Sequence, residues 1–157
     1  MKDLQVRNRQ RARAINLEFL RAVSTCLLEE LLLFKSYALA VHLVSASAMS
    51  KINREFLAHE GATDVITFDL QEGYESSEKV EADLIGEIFI CVPMAQEQAR
   101  QFSTSWQEEI TRYLVHGVLH LLGLDDSHPK KRRAMKIEEN RLVKLLKRRF
   151  KLASLGA

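Results

Sequence analysis

Residues 105–123, SWQEEITRYLVHGVLHLLG, can form little other than a buried helix. Ser105 followed by Glu108 matches a capping box at its start. Gly123 marks its end, because glycine can turn the chain through positive φ. Val115, Val118, Leu119, Leu121 and Leu122 make the second half apolar, so the rest of the chain has to pack around it. His116 and His120 lie four apart in this run, on one face and one turn from each other. Buried singly, each imidazole needs its own hydrogen-bond partner. As a pair at this spacing they can grip one ion. Asp125, Asp126 and His128 follow the Gly123 turn, which can bring Asp126 or His128 back toward the pair. Two imidazoles and one more donor make three protein ligands and leave a fourth position for water, the arrangement of a catalytic zinc.

The residue after the first histidine is Gly117. Zinc peptidases with this histidine spacing place a glutamate there as general base, so peptide hydrolysis is disfavoured. Attack of a metal-activated water on a phosphodiester remains open, with the ion also polarising a phosphoryl oxygen.

The other segments supply what packs on this helix. LQVRNRQ (4–10) alternates as an edge strand does, and Leu39, Val41 and Leu43 share one face of a strand at 37–45. ATDVITFDL (62–70) reads as a β-branched strand, and DLIGEIFICV (83–92) as one apolar enough for the middle of a sheet. NLEFLRAVSTCLLEELLL (16–33) reads as a helix capped by Asn16. A shorter helix follows Ser45, another opens at Pro93 and runs to about 102, and a basic amphipathic helix runs from Pro129 to about Lys151. QEGYESSEKVEA (71–82) is a polar loop. His42 points away from the Leu39 face and reads as structural. The order β-α-β-α-β-β-α-α-α gives an α+β or mixed α/β chain with one small sheet, and 157 residues suit a single domain over 1–157.

Net charge is only +2, but it is unevenly spread. Lys2, Arg7, Arg9, Arg11 and Arg13 crowd the start, KKRR and KRRFK the end, and 72–97 is mostly acidic. Basic ends around an acidic middle suit a polyanion partner such as nucleic acid; the plainer reading is a solvated helix face, with cations favoured near its C-terminus. Cys26 and Cys91 form no CxxC pair and sit in apolar settings, which suits core thiols in a reducing compartment. With no apolar leader at the N-terminus and no apolar run long enough for a membrane, the expected location is the cytoplasm.

HGVLHLLGLDD resembles the signature HGxLHLxGxDH of the YbeY family of bacterial rRNA maturation factors. INREFLAHEGATDVITFDL (52–70) is similar to that family's second motif, LIGEIFIC (84–91) to its LGDIxIC strand, and MKIEENRL falls where its members carry a methionine followed by acids. The likeness covers the chain from about residue 37. It implies a small mixed four-stranded sheet packed with about five helices, the histidine helix central in a zincin-like arrangement. It further implies a zinc-dependent, single-strand-specific endoribonuclease. Such an enzyme acts in 16S rRNA 3′-end maturation and late ribosome quality control, with ribosomal RNA and the small subunit as partners. Alignment without a gap puts Asp126 where the family has its third histidine, giving His116, His120 and Asp126 as ligands of one Zn2+, with His128 the rival. Leu57 stands where the family usually has an arginine suited to clamp phosphate, and Arg54 or His59 are the residues near enough in sequence to compensate. Thr67 replaces a serine and Asp69 a proline. Thr63 and Asp64 fall beside the implied cleft, which makes Asp64 a further catalytic candidate; simple turn chemistry is the alternative. A non-catalytic RNA-binding assembly factor with a mainly structural zinc is the competing expectation.

Overall fold

The computed structural model describes residues 1–58, 61–71 and 82–157. His59 and most of the polar loop expected at 71–82 lie outside them. The elements are β1 (Lys2–Arg9), α1 (Leu17–Thr25) continued by a π-helical turn (Cys26–Leu31), β2 (Tyr37–Val44), α2 (Ala46–Leu57), β3 (Val65–Asp69), β4 (Leu84–Cys91), α3 (Val92–Phe102), α4 (Trp106–Leu121), α5 (Pro129–Arg149) and a closing 3-10 turn (Leu152–Leu155). The strands form one mixed sheet in the order β1-β2-β4-β3. β1, β2 and β4 run parallel, and β3 is antiparallel to β4 on the outer edge. This is the α+β architecture expected from the sequence, with β1 at an edge and β4 inside.

The sheet's alternation sorts its two faces. Leu39, Val41 and Leu43 of β2, with Leu84, Ile88 and Ile90 of β4, meet α1, α4 and α5 in the main core. Val44, Ile66 and Cys91 meet Met49 of α2 on the other side, with Phe68 and Phe89 partly buried beside them. His42 lies on that second face, buried and stacked on Phe89 at 4.5 Å. α4 runs through the middle of the molecule, touching β3, β4, α3 and α5. Both cysteines are buried and free.

The long first helix differs from its sequence reading. Its second half widens, with the Leu32 amide bonding to the Leu27 carbonyl at 3.0 Å and the Phe34 amide to Leu28 at 2.9 Å. The extra residue in the turn accommodates the run of leucines while Leu27 and Leu28 are both fully buried. β3 starts later than expected, at Val65, because the Asp64 carboxylate accepts from the Val65 amide at 2.8 Å in a local turn. Ser105 caps α4 through the Glu108 amide, but the Glu108 carboxylate pairs with Lys147 instead of closing the capping box.

Two glycines set how closely α4 approaches the sheet. A Cβ on Gly117 would meet Ile88 of β4 at 2.9 Å, and one on Gly86 of β4 would meet Leu121 of α4 and the Phe68 carbonyl at 2.8 Å. Helix and strand each leave a side chain out where the other presents one. The histidine face is thereby brought level with β3.

Candidate metal centre

His116 and His120 project from α4 with ring centroids 4.7 Å apart. After them the chain reverses in a Schellman turn: the Leu124 amide bonds to Leu119 at 3.1 Å and the Gly123 amide to His120 at 2.9 Å, with Gly123 at φ 96°. Asp125 is consumed by the turn itself. Its Oδ1 accepts from the Ser127 hydroxyl at 2.7 Å and amide at 3.0 Å, and these bonds hold its carboxyl below the usual range. Asp126 is left facing the histidines, with Oδ2 3.9 Å from His120 Nε2. One donor atom from each of His116, His120 and Asp126 lies within 4.8 Å of the others. His128 stands apart as the exposed N-cap residue of α5.

Glu139 of α5 orients the first imidazole. Its Oε1 lies 2.7 Å from His116 Nδ1, while Arg112 and Lys136 bind its Oε2 at 2.8 and 2.9 Å. Burial pushes this carboxyl up, but the bonds from His116, Lys136 and Arg112 more than reverse that and hold it at about 2. A carboxylate on Nδ1 fixes the tautomer that leaves the Nε2 lone pair for an ion, the usual support of a metal-binding histidine. Burial, and then repulsion from His116, push the His120 imidazole below its ordinary value, which favours the neutral ring that a metal requires.

Two clefts meet at this point. One, of about 840 Å³, lies between α3, α4 and α5 and has Phe102, Tyr113, Arg132 and Arg133 in its walls. The other, of about 590 Å³, lies under α2 and β3 and has Asn53, Leu57, Thr63 and Thr67 in its walls. Asp64, Val65, His116 and Asp126 line both. Three donors in this group can bind a metal ion, and the ion would be reachable from either cleft.

The sequence profile of the family described as endoribonuclease YbeY matches residues 5–147. This chain belongs to the YbeY family. An endoribonuclease YbeY of Chlorobium luteolum is 37% identical over 146 residues, which is 92% of this chain and 98% of that protein. The endoribonuclease YbeY of Parabacteroides distasonis is 38% identical over 96 residues; that match spans 61% of this chain and 62% of the relative, under two thirds of its length. The solution structure of TM1509 from Thermotoga maritima superposes with a TM-score of 0.65 at 25% identity, covering 91% of this chain and 88% of that one.

Several sequence-stretch candidates take definite places in this YbeY chain. Asp64 sits at the junction of the clefts, and Leu57 and Thr63 line the smaller one. Arg54 is exposed on α2 and lines neither. Glu139 is the residue that sequence reasoning missed. Its signal was a glutamate in the apolar row Met135, Leu142, Val143 and Leu146 of α5, where burial demands a partner.

Proposed function

We propose that this chain, acting as one domain over residues 1–157, is a zinc-dependent endoribonuclease that cleaves single-stranded RNA. The observation that carries the reading is the convergence of His116, His120 and Asp126 where two open clefts meet. Family membership supports it, as does the name that its relatives carry, endoribonuclease YbeY. Zinc fits the donors because it takes imidazole and carboxylate ligands in a four-coordinate shell, so three of them leave one position for substrate or solvent. When bound, such an ion supplies Lewis acidity toward a phosphoryl oxygen and acidifies a water molecule.

The chain's own groups do the rest. Glu139 holds His116 in register, and the Schellman turn at Gly123 delivers Asp126. Asp64 accepts from the Val65 amide through Oδ1, and we assign its carboxylate a catalytic role beside the scissile phosphodiester. The substrate we assign is ribosomal RNA, in maturation of the 16S 3′ end and late quality control of the small subunit. This finer assignment rests on the family likeness. The compartment we assign is the cytoplasm, in keeping with two free buried thiols. Among the described residues no helix is long and apolar enough to cross a membrane. Gly117 packs against Ile88 and brings no carboxylate to the site, which argues against a peptidase.

A second reading is favoured by one observation: the smaller cleft beside the three donors carries Leu57 and, among the described residues, no lysine or arginine. On that reading the protein binds RNA without cutting it. Zinc-loaded protein and a His116→Ala/His120→Ala double variant, each incubated with single-stranded RNA, separate the two. We expect cleavage by the first and none by the second. Binding by both with cleavage by neither selects the non-catalytic factor.

A further inference from the structure

Positive charge is shared unevenly between the two sides of the metal centre. Arg112, Arg132, Arg133 and Lys136 wall the α5 cleft, whereas among the described residues no lysine or arginine lines the cleft under α2 and β3. Two of the four are engaged already, since Arg112 and Lys136 bind Glu139. Arg132 makes a 3.3 Å bond to the Asp126 carbonyl. Among the described residues no acid pairs with Arg133.

The position of KKRR along its helix is informative. Lys130, Lys131, Arg132 and Arg133 occupy the first turns of α5, which has no acid in its first turn. Cations there oppose the helix dipole. Helix stability therefore explains the Lys147–Arg149 cluster in the last turn but not the one at the start. From Lys130 and Arg133 a row continues in helical steps through Ile137, Arg141 and Lys144 to Arg148, all exposed. It lies opposite the buried row of α5. Among the described residues only Arg141 in it has an acid partner, Glu138. At 1.5 Å per residue the row spans about 27 Å, long enough for several phosphates of an extended strand.

Building on the endoribonuclease reading, we infer that RNA is held on one side of the metal centre only. The strand leaves through the α5 cleft, where Arg132 and Arg133 meet its phosphates, and continues along the Arg133–Lys144–Arg148 row. The α2–β3 cleft takes the uncharged part of a nucleotide against Leu57, Asn53 and Thr67. Contacts of this kind read the backbone and carry no sequence information.

The test uses full-length protein in chelator, so that nothing is cut, and a fluorescein-labelled single-stranded RNA followed by anisotropy. The Arg133→Glu/Lys144→Glu/Arg148→Glu variant is compared with Arg7→Glu/Arg9→Glu/Lys51→Glu, which makes the same charge change elsewhere. We expect the first to lose at least about tenfold in affinity and to flatten the salt slope by about 2, at roughly 0.7 per phosphate contact on a single strand. The second stays within about twofold of wild type. A triple alanine variant of the row shows a smaller loss in the same direction and guards against misfolding. Equal losses in both charge-reversal variants, or none in the row variant, overturn the proposal, the latter leaving the row to a protein partner. Wild-type protein that binds no RNA at any salt overturns the endoribonuclease reading along with it. Trimming a cleaved substrate from each end gives the second readout: shortening on one side of the bond slows cleavage far more than on the other, and symmetric dependence overturns the proposal.

Discussion

At the scale of single residues, the centre depends on which atoms are already occupied. Asp125 spends its carboxylate on Ser127 and His128 opens α5, so Asp126 is the third donor the geometry offers. Asp126→Ala should weaken zinc affinity by more than the 10–100-fold typical of outer partners, and His128→Ala should leave it unchanged; a competition titration with a chromogenic chelator measures both. Glu139→Gln keeps the shape but removes the charge behind His116, and should cost about 10–100-fold in zinc affinity. The same residue gives a pH signature in the metal-free protein. Its native carboxyl is held at about 2, below the ordinary 4.5, so its contribution is complete above that ordinary value and is lost as pH falls toward 2. Urea unfolding at pH 5, 4 and 3 should show wild type losing stability more steeply than Glu139→Gln. Parallel curves would mean that the buried carboxylate is not held ionised by its partners.

At the scale of elements, the α4–β4 contact fixes the height of the histidines. Gly117→Glu, the change that would copy a zinc peptidase, would drive a carboxylate into Ile88 in the core. An unpaired buried charge costs about 3–5 kcal/mol, so the variant should be largely unfolded by circular dichroism rather than proteolytic. Gly86→Ala meets the Phe68 carbonyl as well as Leu121. Overpacking against backbone should lower stability by about 1–3 kcal/mol, read as a fall in the urea midpoint. These glycines show what was legible at this scale. The pattern of the chain reveals that α4 is buried and where it stops. It does not reveal that Gly117 faces a strand, because that requires knowing which element lies one helix diameter away.

At the scale of the whole molecule, binding of the proposed ion would be linked to the fold. An ion that binds only the native arrangement should stabilise it by about 2.7 kcal/mol at a hundredfold excess over Kd, seen as a zinc-dependent rise in Tm that His116→Ala/His120→Ala abolishes. Charge is also a property of the whole. The sequence shows two basic ends, and they take different places in the fold: β1 forms a sheet edge, while the start of α5 borders the metal centre.

Periodicity and local chemistry belong to the chain itself. Helical spacing put His116 and His120 on one face, the glycine after them stopped the helix, and strand alternation gave an α+β sheet with β4 inside. Each of these depends on residues a few positions apart, whose relation is fixed by backbone geometry alone. Glu139 behind His116, the two clefts and the one-sided distribution of cations depend on side chains many residues apart, brought together only when the helices pack. A glutamate in an apolar row is a conspicuous residue in a sequence, but its partner is decided by which helix the row is pressed against.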